Sequence, residues 1–196
     1  MTTEDLEPPR TRMVRSAARM IRERGVTGVG MRQIAADAGG PRGSLQRYFP
    51  GGKAQVLTEA IDIALEDFVA GTLRAHADAT DLPQAIGMIV ASWREVLLRT
   101  DFTAGCPIAS FVVDVAEVDP LRVEAEKRFS RWRTTLASLY RRFGVDRAAA
   151  WDEAVLVISA LEGAALVARA GRSIEPLDAV ERVLIARADQ WTRNRP

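Results

Sequence analysis

The sequence predicts an all-α protein in two parts, and three observations carry that prediction. Apolar residues recur at three- and four-residue intervals along nearly the whole chain, the signature of helices that bury one face. No segment keeps the strict alternation of a half-buried strand. The breaks "DLP", "DP", "FG" and "EP" fall between the periodic segments, where helices must end. With 196 residues, 47% of them hydrophobic and 27% charged, the chain can bury a sizeable core.

The first helix is "TRMVRSAARMIRERG". Met13, Val14, Ala17, Ala18, Met20 and Ile21 form its apolar stripe, arginines occupy the opposite face, and Gly25 is its stop. "MRQIAADAG" is a second, short helix that Gly39 can close, because glycine accepts the left-handed conformation found just past helix ends. Pro41 suits a first helical turn, so "PRGSLQRYF" reads as a third short helix. Ala35, Gly39 and Leu45 then stand at helix-turn-helix spacing, with Ile34, Ala38, Leu45 and Tyr48 available as apolar contacts between the two helices. The glycines and prolines of "GGPRGSLQRYFPGGK" are punctuation on this reading: a tight turn before the third helix and a "PGG" break before the next. A phosphate-binding loop does not fit, since Arg47 stands where a Walker A loop needs its first glycine and Ala54 follows Gly52-Lys53.

Further helices are expected near 53 to 78, 82 to 100, 104 to 117, 120 to 143, 147 to 171 and 176 to 193. The domain boundary is placed at residue 53, giving a helix-turn-helix domain over 1–53 and a helical domain over 54–196. Residues 154 to 170 are apolar almost all round, which demands burial on every side, in the core or against a symmetry mate.

Charge is distributed unevenly. Between Arg10 and Lys53 stand ten basic and two acidic residues, a surplus of eight, while the whole chain carries +1. The remainder is therefore −7, and a polyanion partner is expected for the first part alone. One cysteine, Cys106, and one histidine, His76, exclude an intrachain disulfide and the usual metal spacings, so neither a metal nor a cofactor is expected. With no His-based triad and no glycine fingerprint after a strand, an enzyme is not expected either. The acidic opening "MTTEDLEPPR" is unlike a signal peptide, and no uninterrupted apolar run reaches the roughly 18 residues of a membrane span, so a cytoplasmic protein without membrane contact is expected.

The stretch "MRQIAADAGGPRGSLQRYFPGGKAQVLTEAI" resembles the DNA-binding motif of the TetR family of bacterial repressors, over about residues 10 to 65. "AGCPIAS" and "LEGAALVARAGRSIEPL" resemble the branch that contains repressors of antibiotic-efflux genes and flavonoid-responsive regulators. The resemblance implies a three-helix DNA-binding domain followed by a helical ligand-binding and dimerisation domain. The pattern departs at Gly40 and Pro41, where the family usually has an apolar residue and a Ser or Thr, at Gly30, Gln46, and in one extra glycine before Lys53.

Residue chemistry assigns provisional roles within that frame. Arg42, Gly43, Ser44, Gln46 and Arg47 lie on the third helix, where arginine suits guanine and glutamine suits adenine. Arg32, Tyr48 and Lys53 suit phosphate. Met88, Trp93, Phe102, Cys106, Phe111, Trp132 and Trp151 are candidates to line an apolar ligand pocket, with Asp114 and Glu162 as acids that could orient a ligand. Val157, Leu161, Ala164, Ala165, Ala168, Val180, Leu184 and Arg187 are candidates for a homodimer interface. The expected protein is a ligand-responsive, DNA-binding transcriptional regulator, a homodimeric repressor on a near-palindromic operator, released by a small aromatic or apolar molecule. The alternative is a helical adaptor or small-molecule-binding protein that never touches DNA.

Overall fold

The structure, a computed structural model, describes residues 7–40, 43, 45–115 and 119–193, with side chains omitted for 67, 68, 114, 115, 119 and 120. Among these, the helices in chain order are α1 Pro9–Arg24, α2 Met31–Asp37, α3 Leu45–Tyr48, α4 Gly52–Asp78, α5 Leu82–Arg99, α6 Pro107–Val115, α7 Asp119–Arg142, α8 Arg147–Gly171 and α9 Glu175–Arg193. The chain falls into two compact units. One comprises residues 1–66 and 107–126, the other 67–106 and 127–196.

In the first unit the expected stripe of α1 is buried in full, Met13, Ala17 and Ile21 at its centre; α1 packs on α2, whose Ile34 and Ala35 are buried, and on α6, and Val56, Ala60 and Ile61 of α4 are buried in the same unit. Pro9 opens α1 and Gly25 ends it, its N–H reaching the Ile21 carbonyl at 3.0 Å. Phe49, just beyond α3, is buried, whereas α3 itself buries no residue. A four-residue helix is far below the length that holds itself together in water, so α3 depends on that anchor. The guanidinium of Arg10, ion-paired to Glu59 at 2.6 Å, covers the Phe49 ring at 5.0 Å.

In the second unit α5 packs along α9, and α8 against both. Asp81 caps α5 by accepting from the Gln84 N–H at 2.8 Å, and Asp146 caps α8 by accepting from Ala148 and Ala149 at 2.9 and 3.1 Å. Arg94 of α5 reaches Asp178 of α9 at 2.7 Å and also pairs with Glu181. Trp93 and Trp132 stack with centroids 5.8 Å apart, and the indole N–H of Trp132 donates to the buried Thr72 hydroxyl at 3.1 Å.

Helix α8 is buried along one side of the protomer and exposed along another. Ala154, Val157, Leu161, Ala164 and Ala168 are buried, while Val155, Leu156, Leu166 and Val167 are exposed. By length and composition alone this helix could cross a membrane, with a mean hydropathy of 1.6 over its most apolar 18-residue window. Counting uninterrupted apolar runs overlooks it because charged residues punctuate the segment. One of them, Glu153, is buried in an ion pair with Arg187 of α9.

Candidate functional site

The "GG" at residues 39 and 40 closes α2 by two distinct requirements. Gly39 adopts φ +61°, and the N–H groups of Gly39 and Gly40 reach the carbonyls of Ala36 and Ala35 at 3.2 and 2.9 Å, a Schellman closure. Gly40 approaches α1 so closely that a Cβ there would fall 2.3 Å from Met13 Cε. A side chain at position 40 would have to push aside the flexible end of Met13. At the other end of α2, Gly30 has no side chain to cap with, and only the reciprocal half of a capping box is made: Gln33 Oε1 accepts from the Gly30 N–H at 3.2 Å.

Beyond the turn, the side chains of Gln46 and Arg47 stand exposed on α3, and Tyr48 is half-buried. The Arg47 guanidinium lies 5.5 Å over the Tyr48 ring. A groove of about 460 Å³ brings Arg32 and Met31 of α2 together with Gly43, Gln46 and Pro50. Lys53 is exposed at the second position of α4, whose first turn is capped by Gln55 Oε1 accepting from the Gly51 N–H at 2.9 Å. Arg42 and Ser44 lie outside the described residues. The described candidates therefore share one unit, and their donors are open to a partner.

The face of α2 toward α1 is polar at its end. Ser16 Oγ donates to Asp37 Oδ2 at 2.6 Å, Arg19 pairs with the same oxygen, and Arg12 Nε donates to the Ala38 carbonyl at 3.1 Å. The Arg19 and Ser16 hydrogen bonds hold the Asp37 carboxyl below its ordinary pKa, and the bond to Asp37 raises that of Arg19. Sequence reading did not single out these residues, although Arg12, Ser16 and Arg19 at intervals of four and three share a helix face.

Comparison with known proteins places this geometry. Residues 14–60 match the family described as bacterial regulatory proteins, tetR family, and residues 83–183 match the LmrA/YxaF-like transcriptional regulator C-terminal domain. An uncharacterized HTH-type transcriptional regulator of Mycobacterium tuberculosis is 40% identical over 185 residues, covering 91% of this chain and 93% of that one. The chain belongs to the TetR family of transcriptional regulators. The HTH-type transcriptional regulator LmrA of Bacillus subtilis is 24% identical over 170 residues, 86% of this chain and 90% of its own. A TetR regulator structure from Chloroflexus aurantiacus aligns with a TM-score of 0.77 at 25% identity over 93% and 94% of the two chains. One from Legionella pneumophila aligns at 0.81 and 18% identity over 94% and 99%, which speaks for the fold. This TetR-family protein is thus a DNA-binding transcriptional regulator and not an enzyme.

The regulator's candidate ligand-binding residues fall in both units. Trp93, Trp132 and Cys106 are buried in the second unit, Met88 and Phe102 are half-buried, and Trp151 is exposed beneath the Arg133 guanidinium at 4.3 Å. Phe111 is buried in the first unit. The Cys106 thiol hydrogen-bonds the Glu162 carboxyl, whose pKa burial pushes up to about 7 against the lowering effect of that bond. Glu162 Oε1 is buried with no hydrogen-bond partner among the described residues. The Asp114 side chain lies outside the described residues. Among the described residues no cluster of three or more His, Cys, Asp or Glu could hold a metal.

The eight interface candidates differ in burial. Val157, Leu161, Ala164, Ala165, Ala168 and Leu184 are buried within the protomer, Val180 is half-buried, and Arg187 is committed to Glu153. Six of the eight have almost no surface left to bury against a second copy. Among the described residues, the exposed apolar side chains of α8 and α9 include Val155, Leu156, Leu166, Val167 and Val183. Apolar content alone does not say which side of an all-round apolar helix its own protomer will use.

Proposed function

We propose that this regulator is a homodimeric repressor that leaves its operator when a small apolar or aromatic molecule binds the second unit. The observation that carries the proposal is the exposure of Gln46 and Arg47 on a short helix of the first unit, on a chain whose residues 83–183 match an LmrA/YxaF-like regulatory domain. Two such helices about 34 Å apart meet successive major grooves of a near-palindrome, which is why a dimer suits the reading. The exposed face of α8 supports it. Leu156, Ser159, Gly163 and Leu166 recur at intervals of three and four, with small residues that permit close approach of a second helix. The helix-turn-helix domain is taken as residues 1–53 and the effector and dimerisation domain as 54–196, with work in the cytoplasm and no membrane contact.

The ligand favours a dimer whose recognition helices are wrongly spaced. Reciprocity then requires operator DNA to weaken ligand binding by the same factor. The test is an anisotropy titration against the palindrome-bearing DNA upstream of the regulator's own gene, at two salt concentrations. Selective binding at two chains per site, weakening steeply with salt, is expected. Indifference both to that DNA and to a random-sequence pool overturns the reading in favour of an adaptor. Ligand and DNA bound together without mutual effect overturn the release mechanism.

A further inference from the structure

We propose that Asp37, together with Arg12, Ser16 and Arg19, is a positioning clamp that sets the pose of the recognition helix and with it the regulator's sequence selectivity. The proposal rests on the DNA-binding reading and deepens it.

Asp37 is the last residue of α2, where a carboxylate meets the negative end of the helix dipole and is disfavoured on its own. There it accepts from Ser16 Oγ at 2.6 Å and from Arg19, both on α1. One residue on, the Ala38 carbonyl, an orphan acceptor of the helix end, takes Arg12 Nε at 3.1 Å. Arg12 is itself tethered, its Nη1 donating to the Glu7 carbonyl at 2.7 Å. Ser16 is buried, so the contact is built into the packing of α1 on α2. Arg12, Ser16 and Arg19 stand at intervals of four and three and present one face of α1 to the end of α2.

Among the described residues just past this clamp, few side chains orient the chain. Gly39 and Gly40 bring no side chain, and α3 buries no residue of its own. The direction in which α3 leaves α2 is therefore inherited from how the end of α2 is held, with Phe49 fixing the far side. Arg12 and Arg19 sit in the basic N-terminal segment and invite assignment to phosphate. Arg12 Nε and Arg19 Nη2, however, are directed at a carbonyl and a carboxylate of the same unit, and Arg19 Nη1 lies 3.6 Å from Glu23 Oε1, so a phosphate would compete with those partners. Their influence on DNA runs through α2.

The test uses full-length protein and two probes: a duplex selected from a random-sequence pool by the unaltered regulator, and a scrambled duplex of the same composition. Asp37→Ala and Arg19→Ala are expected to weaken the selected duplex by roughly ten-fold, the scale of one charge-assisted pair. Affinity for the scrambled duplex and the slope of log affinity against log salt should stay unchanged. The exchanged pair Arg19→Asp with Asp37→Arg should recover selectivity lost in Asp37→Arg alone. Asp37→Asn, which keeps an acceptor for Ser16, serves as the milder variant if Asp37→Ala does not fold. The proposal is overturned if Arg19→Ala weakens both duplexes alike and lowers the salt slope by about 0.9, the mark of a lost phosphate contact. It is equally overturned if the variants merely contain fewer binding-competent molecules with an unchanged Kd, or if they bind as the parent does. A pool that yields no selected duplex overturns the DNA-binding reading itself, a separate outcome seen before any variant is made.

Discussion

Arg187 of α9 grips the Glu153 carboxylate of α8 with Nε at 2.8 and 2.9 Å from its two oxygens and Nη2 at 2.7 Å from Oε1, and Glu153 is 2% exposed. A buried carboxylate is tolerated only with its charge matched, so the pair ties α9 to α8 at a fixed register. Glu153 also raises the pKa of the Tyr140 phenol, secondary to that group's burial.

Arg187→Ala should therefore destabilise the fold by about 1–3 kcal/mol, because the acceptor stays buried without its partner. Replacing both, Glu153→Leu with Arg187→Leu, should cost less than Arg187→Ala alone. Urea unfolding at fixed protein concentration checks both. A double variant no more stable than the single would show that packing rather than charge holds this contact.

Leu166→Glu should separate the dimer while leaving each protomer folded. Leu166 is 67% exposed on α8, so nothing inside the protomer resists the charge, whereas a second copy packed there would. Sedimentation should show a folded monomer with unaltered helical CD and weakened operator binding. Leu161→Glu, at a fully buried position, should instead prevent folding. A Leu166→Glu variant that remains dimeric would move the interface elsewhere.

The contrast between Leu161 and Leu166 also marks how far the sequence can be read. Helix limits were legible because they are local: "DLP" starts α5 with a capping Asp81 and a proline in its first turn, "FG" follows the end of α7, and α4, α5, α8 and α9 run within a residue or two of expectation. The helix-turn-helix was legible for the same reason, since Ala35, Gly39 and Leu45 lie close in the chain. Which face of α8 its own protomer buries depends on α5 and α9, up to roughly a hundred residues away in the chain, and period alone carries no such information. The Ser16–Asp37 and Glu153–Arg187 pairs were hidden likewise, because nothing local to Ser16, Asp37 or Glu153 names its partner, and Arg187 read as an interface candidate until the packing brought it to Glu153.

Glu162 should make stability fall as pH rises through neutrality. Burial raises its pKa in the folded state from the ordinary 4.5 to about 7. The folded state thus binds its proton more tightly than the unfolded chain does, and this contribution is complete below about pH 4.5 and lost as pH climbs to 7. Above that range the fold must hold an ionised carboxylate beside the Cys106 thiol. Glu162→Gln should leave stability unchanged near pH 4.5 and raise it near pH 8 by on the order of 2–3 kcal/mol. Thermal melts of both proteins across that range decide it, and parallel pH profiles would place the carboxyl in water.

Gln46, Arg47 and Lys53 should separate base reading from phosphate contact. All three are exposed on the DNA-facing unit, but Gln46 and Arg47 carry forked or paired groups suited to base edges, while Lys53 offers a point charge at the head of α4. Arg47→Ala should cost about 1–3 kcal/mol on the preferred duplex and relax the preference at one base pair, as should Gln46→Ala at another. Lys53→Ala should weaken all duplexes evenly and lower the salt slope by about 1. Titrations against a panel of single-base variants at several salt concentrations distinguish the two behaviours. If Arg47→Ala weakens every duplex equally, its guanidinium, 5.5 Å over the Tyr48 ring, grips the backbone, and base reading passes to Gln46 and its neighbours on the third helix.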